Sequence, residues 1–276
     1  MIQKHGHILI TGASSGMGAG LAYSYAGPGV TLSLIGRSND RLLKVADACA
    51  AKGAEVRCGN FDVDEHGPLG QWIEAGDALR PIDLVIANAG TSGGPYEAKQ
   101  ADGLDLARRQ IKTNLLGVIN TIEPLLPRLI ERSGAQIAVV ASIAGYRGLP
   151  DSPAYSASKA GVRAYGEALR ARLKPFGLSV SVIVPGFFDS PMTDRFQGGK
   201  PMLYSLERAV GVVRKGLDRR ASRIVFPHLL AAGLQAVDLL PAFLGDAIIR
   251  RFPFHIQLNQ SDFLEWPGTP LEQNAR

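Results

Sequence analysis

"HILITGASSGMGAGLAYSYA" runs from His7 to Ala26. Its apolar opening reads as a short strand ending at Ile10, and a helix begins near Gly16. Between them lies a loop of Gly, Ala, Ser and Thr, with glycines at 12, 16 and 18. Bare backbone at the start of a helix suits a pyrophosphate, because free N–H groups and the helix dipole both favour negative charge. Glycines alone mark only a tight turn. The strand–loop–helix order around these glycines predicts a dinucleotide site.

Outward from this stretch, short apolar runs alternate with longer helical ones. The predicted strands are His7–Ile10, Val30–Leu34, Glu55–Cys58, Leu84–Ala87, Gln136–Ala141, Val180–Val184 and Arg223–Phe226. Helices are predicted near 16–26, 39–52, 65–79, 102–132, 154–174 and 205–219. The strands lack alternation, as strands buried on both faces do. The order predicts an α/β fold, a Rossmann-like doubly wound parallel sheet in a single domain over residues 1–253. Residues 254–276 are polar and aperiodic and read as a flexible tail.

The 276 residues carry a net charge of +5, but no run of five basic residues occurs, so a nucleic-acid partner is not indicated. Cys49 and Cys58 stand in no metal-binding spacing and read as reduced thiols, with no metal site. The N-terminus has no apolar signal core, which predicts a cytoplasmic protein.

"AYSASKAG" (Ala154–Gly161) puts Tyr155 and Lys159 four residues apart, on one face of a helix. A phenol is a poor base at neutral pH, and a fixed ammonium beside it favours the phenolate. Such a pair is either a tuned general acid/base or a surface contact worth a few tenths of a kcal/mol. Its place behind a dinucleotide loop favours the first reading.

The spacing TGxxxGxG resembles the short-chain dehydrogenase/reductase family. So do "IANAG" (Ile86–Gly90), "KTNLLG" (Lys112–Gly117), "VVASIAG" (Val139–Gly145), "YSASK" (Tyr155–Lys159) and "VPGFFDSPMT" (Val184–Thr193), in that family's order over residues 7–195. The resemblance implies an oxidoreductase moving hydride between a nicotinamide cofactor and a small carbonyl/alcohol substrate. It implies four catalytic positions. Tyr155 is the acid/base, Ser142 holds the substrate oxygen, Lys159 tunes the tyrosine and holds the ribose, and Asn114 completes a proton relay. For the cofactor it implies the loop Thr11, Gly12, Ser14, Ser15, Gly16, Met17 and Gly18. It adds Asp62 and Val63 at the adenine, Asn88, Ala89 and Gly90 along the ribose, and Pro185, Gly186 and Ser190 at the nicotinamide. Met17 and Ser190 depart mildly from the family's usual isoleucine and threonine.

The predicted second strand ends in Gly36, Arg37 and Ser38, with no carboxylate to repel a 2′-phosphate. Arg37 can pair with that phosphate, so NADP is expected over NAD. An NAD-dependent alcohol dehydrogenase and a non-catalytic NADP sensor are the alternatives. Residues 227–252 form an apolar, helical stretch too short of uncharged residues to span a bilayer. Three covers are open: a homo-oligomer interface (dimer or tetramer), a lid over the substrate, or a peripheral membrane contact.

Overall fold

The computed structural model describes residues 5–93, 103–251 and 255–256. The chain runs β1 (His7–Thr11), α1 (Gly16–Tyr25), β2 (Thr31–Ile35), α2 (Asn39–Ala50), β3 (Glu55–Gly59), α3 (His66–Leu79) and β4 (Leu84–Ala87). It continues through α4 (Leu104–Ile111), α5 (Gly117–Ile122), α6 (Leu126–Arg132), β5 (Gln136–Val140), α7 (Pro153–Leu173) and β6 (Ser179–Pro185). Last come α8 (Pro191–Asp194), β7 (Phe196–Gln197), α9 (Leu206–Asp218), β8 (Arg223–Phe226), α10 (His228–Asp238), α11 (Ala242–Ile249) and β9 (His255–Ile256).

Seven strands form one sheet in the order β3-β2-β1-β4-β5-β6-β8, and every pairing in it is parallel. The chain first builds outward from β1 through β2 to β3, then crosses back to lay β4 on the other side of β1. The carboxyl ends of β1 and β4 therefore feed connections that diverge, which opens a crevice. Each face of the sheet is covered. Leu69, Ile73, Val118, Ile122, Val162 and Leu169 pack on one face. Met17, Leu21, Leu42, Val45, Val213 and Leu217 pack on the other. Burial on both faces is why β1, β2, β4 and β5 carry wholly buried residues without alternation.

The predicted strands all form, with ends that differ by at most one residue. The helix expected over 102–132 does not run unbroken. Residues Lys112–Leu116 form a π-helical turn and Glu123–Leu125 a 3₁₀ turn, so three helices replace one. Pro124 and Pro127 each remove an N–H from the ladder, which accounts for the second break. The start of that stretch, residues 94–102, lies outside the described residues. Within the stretch read as a tail, His255–Ile256 pair antiparallel with β7, and its other residues lie outside the described ones. The apolar stretch at 227–252 becomes α10 and α11, separated at Pro241. No helix among the described residues is long and apolar enough to cross a membrane.

One buried charge ties α3 to α6. Asp77 is 3% exposed. Its carboxylate accepts hydrogen bonds from Arg132 Nη1 and Nη2, both at 2.7 Å, and from the Ile82 N–H at 2.9 Å. Burial pushes its pKa up, but the hydrogen bonds from Arg132 and Ile82 and the Arg132 charge outweigh this and hold it below the ordinary value. A carboxyl depressed in the folded state contributes stability that is present above its unfolded pKa and lost as pH falls through the folded one. Asp77→Asn should therefore cost about 2 kcal/mol at pH 7, less than a fully buried pair because Arg132 keeps water contact. In urea melts the gap to wild type should close on acidification below the ordinary carboxylate range. A gap that is independent of pH would rule out this ion pair as its source.

Candidate active site

The crevice begins where β1 becomes α1. Gly12 sits at φ 66° and Gly16 at φ 53°, a left-handed backbone in which a side chain is strained. At Gly12 a Cβ would also lie 2.8 Å from the Ala89 Cα, so the glycine is required twice over. Ser15 precedes α1 without making a side-chain cap, which leaves the first N–H groups of the helix to the crevice. This is a cradle for an anion, built from backbone.

Side chains hold the two walls together. Thr11 Oγ1 accepts the N–H groups of Asn88 and Ala89, each at 3.1 Å, and the Asn88 amide donates back to the Thr11 carbonyl at 3.0 Å. Thr11 is thus a tie between β1 and β4 and does not line the cleft. Gly18 also lies outside it, packed against the Gly12 carbonyl and the Asn88 amide. The cleft itself holds about 530 Å³. Gly12, Ser14, Ser15, Gly16 and Met17 form its floor, and Asn88, Ala89 and Gly90 pass along its middle.

At one end the cleft meets Arg37, Ser38, Asp62 and Val63. Arg37 is engaged: Nη1 lies 3.6 Å from the Asp62 carboxylate, with 41% of its side chain exposed. Arg41, on the first turn of α2, lines the same end. Sequence reasoning missed it, although it follows Arg37 by four residues across a helix start, a spacing that brings side chains together. Phe61 and Thr113 also line the cleft and were not anticipated, and Phe188, Pro191, Met192 and Asp194 join them from the segment 187–205, which the sequence marks as pocket-shaping without saying which residues face the cleft. They stand in loops, turns or short helices where no periodicity points to them.

At the other end stand Tyr155, Lys159, Pro185 and Ser190. Ser190 caps α8, accepting the Thr193 N–H at 3.2 Å. Lys159 is 4% exposed and donates to the Val140 carbonyl at 2.9 Å. Its ammonium is 5.9 Å from the centre of the Tyr155 ring. Burial lowers the lysine's pKa to about 8. Tyr155 keeps part of its surface open to the cleft, but the protein around its hydroxyl pushes the phenol's pKa up, and a hydrogen bond with Ser142 opposes this. Burial is the largest influence on the phenol, and the Ser142 hydrogen bond is the one that opposes it.

Ser142 lies beyond the end of β5, since the strand stops at Val140. It is buried, and its Oγ accepts the Ala144 N–H at 3.2 Å. Asn114 is fully buried in the π-helical turn. Its amide donates to the Thr91 carbonyl at 2.9 Å and to Ser158 Oγ at 3.0 Å, while its Oδ1 accepts the Thr91 N–H at 2.7 Å. It therefore fixes the chain after β4 to α7. Gly186 does not present a free N–H, because that group donates to the Phe226 carbonyl at 2.6 Å. Ser142, Asn114 and Gly186 stand behind the cleft wall.

Known proteins bear directly on this arrangement. Residues 6–200 match a family model described as short chain dehydrogenase. An uncharacterized oxidoreductase of Myxococcus xanthus is 38% identical over 244 residues, which is 88% of this chain and 96% of that one. A short-chain dehydrogenase from Sphingobium yanoikuyae, solved in complex with NADPH, superposes with a TM-score of 0.73 at 24% identity, covering 90% of this chain and 96% of that one. A short chain dehydrogenase/reductase from Burkholderia phymatum, solved in complex with NAD, gives 0.75 at 21% identity, over 85% and 93% of the two chains.

The buried ammonium has a measurable consequence. A lysine whose folded pKa is depressed to about 8 binds its proton less tightly than the unfolded chain does. The cost is full below pH 8 and is relieved as pH rises toward the ordinary lysine value. Lys159→Met should therefore raise stability at pH 7 by on the order of 2 kcal/mol, after subtracting the lost bond to Val140. The advantage should shrink by pH 10 in urea melts. A variant less stable than wild type at pH 7 would contradict the strain assigned to this charge.

Proposed function

The chain belongs to the short chain dehydrogenase family, and on that premise we propose that it is an NADP(H)-dependent reductase of ketones, run in reverse on secondary alcohols. That it is an oxidoreductase acting on carbonyl/alcohol groups with a nicotinamide cofactor follows from its family. The observation that carries the finer reading is the Tyr155 phenol at one end of a backbone anion cradle, with the buried Lys159 beside it.

The cradle fits the cofactor. The floor from Gly12 to Met17 would take the pyrophosphate, the middle wall of Asn88, Ala89 and Gly90 the ribose, and the Arg37 end the adenosine. When bound, the nicotinamide supplies a hydride to the carbonyl carbon or accepts one from the alcohol carbon. Everything else falls to the chain. The Tyr155 hydroxyl gives its proton to the substrate oxygen, and its high pKa keeps that proton in place until then. The Lys159 ammonium favours the phenolate left behind. Ser142 orients the phenol through their hydrogen bond. Asn114 keeps Thr91 and α7 in register, and Ser190 fixes the start of α8 over the loop. Phe188, Pro191 and Met192 give the cleft an apolar wall, which favours a hydrophobic ketone.

NADP is supported by the residues at the end of β2. Gly36 stands where a carboxylate would repel the phosphate, and Arg37 and Arg41 both line that end. The exposed Leu229, Leu239, Phe243 and Leu244 of α10, α11 and the turn between them fit a contact between copies of the chain.

Tyr155→Phe should lower kcat by about 10²–10⁴-fold while NADPH affinity, read by fluorescence titration, stays within a few-fold. Near-normal turnover would remove Tyr155 from the chemistry. Arg37→Asp combined with Arg41→Asp should cost NADPH tenfold or more in Kd and leave NADH little changed, since about 1.5–3 kcal/mol is lost per charge-assisted contact. Equal affinity of the wild type for both cofactors would overturn the NADP assignment.

A further inference from the structure

We propose that Arg147 is a positioning residue that straps the C-terminal helix pair to the turn carrying Ser142. The proposal rests on the role given to Ser142 above. Arg147 leaves directly from that turn. Ser142, Ile143 and Gly145 close a 3₁₀ turn in which the Gly145 N–H donates to the Ser142 carbonyl at 2.9 Å and the Tyr146 N–H to the Ile143 carbonyl at 3.0 Å. The turn packs hard on α7: a Cβ at Gly145 would lie 2.8 Å from the backbone carbonyl of Lys159. Whatever moves this turn therefore moves against both Ser142 and Lys159.

The Arg147 side chain then reaches across to the helix pair. Nη2 donates to Asp246 on α11 at 2.7 Å, and Nη1 to Asp238, the last residue of α10, at 3.3 Å. The Arg147 side chain is only 18% exposed, although both aspartate side chains are more than half exposed. It also lies near the carboxyl end of α10, where the helix dipole favours a cation. Gly245 makes the passage possible, because a Cβ there would stand 3.1 Å from Nη2 and 3.4 Å from Cζ. Three features of the sequence thus converge on one side chain: two acids and a missing side chain.

The helix pair needs such a strap. Ala231 is buried, and Leu230 and Leu234 pack on the core, but Leu239 is 87% exposed and Phe243 73%. A cavity of about 660 Å³ separates α11 from α7 and the Leu149–Pro150 segment, with Asp246, Ile249 and Arg250 on one side and Ala160 and Arg163 on the other. Among the described residues, the side-chain hydrogen bonds joining α10 and α11 to the rest of the chain are those of Arg147. Arg147 ties the pair to the chain beside this cavity, through Asp246 on its rim.

The test uses the full chain with Arg147→Ala, Arg147→Lys and Asp246→Asn. Amide hydrogen exchange without substrate should show Ala242–Ile249 opening roughly five- to thirtyfold more readily in Arg147→Ala, with Arg147→Lys intermediate. Steady-state kinetics on a ketone that wild type reduces should show KM raised several-fold, with NADPH affinity unchanged. Raising NaCl from roughly 0.05 to 0.5 M should raise KM in wild type and not in Arg147→Ala, because screening acts on the ion pairs. Unchanged exchange in Arg147→Ala and Asp246→Asn would overturn the strap. Faster exchange with wild-type KM, and no salt difference, would overturn the positioning role. The exchange arm needs no substrate, so a wild type that reduces no ketone would count against the assigned reaction and leave the strap standing on its own measurement.

Discussion

Two hydrogen bonds to one hydroxyl hold the arrangement on which the rest depends. Thr11 Oγ1 accepts from Asn88 and Ala89, across the point where the chain reverses its direction of sheet building. At that point β1 and β4 are neighbours but their following segments part. Parting strands would leave backbone N–H groups unpaired at their carboxyl ends, and an unpaired buried donor is expensive. Thr11 Oγ1 supplies the missing acceptor, and the Asn88 amide donates to the Thr11 and Gly12 carbonyls. The crevice stays open between the two walls. Gly12 then lets the chain turn within van der Waals contact of Ala89.

The electrostatics of the far end follow from depth. Tyr155 and Lys159 share a helix face, but the helix lies against the sheet, so both groups are driven toward their neutral forms. For the proposed proton donor this is an advantage, because a raised pKa keeps the proton on the phenol until it is given. For the ammonium it is a cost, kept in check by the hydrogen bond to the Val140 carbonyl. Stability and the proposed chemistry pull in opposite directions at this residue. Ser142, Asn114 and Ser158 touch no open space in the cleft, yet their bonds decide where the tyrosine and lysine stand.

The carboxyl-terminal helices show a different economy. Their buried residues are few, Ala231, Gly245 and Ile249, and many of their outer residues are apolar and exposed. The density of leucines in residues 227–252 shows that the stretch needs cover. The structure adds that the underside is covered only in part, with a cavity against α7 and one arginine spanning the edge.

Much of the fold was legible because a parallel sheet buried on both faces writes itself as short apolar runs, and Gly12, Gly16 and Gly18 can serve only where a strand turns tightly into a helix. Tyr155 and Lys159 were legible for a similar reason, since four residues along a helix is a contact. What escaped depends on neighbours far away in sequence. The break at Lys112–Leu116, the pairing of Arg37 with Asp62, the use of the Gly186 N–H by Phe226, and the meeting of Arg147 with Asp238 and Asp246 have no local signature. The direction of the tyrosine's pKa belongs with them. The sequence by itself determined which residues could do chemistry and the order of the elements that carry them, because periodicity and turn geometry are local. Only the tertiary structure decided how deeply those residues are buried and which charges they meet, because desolvation and ion pairing are set by the whole packed molecule.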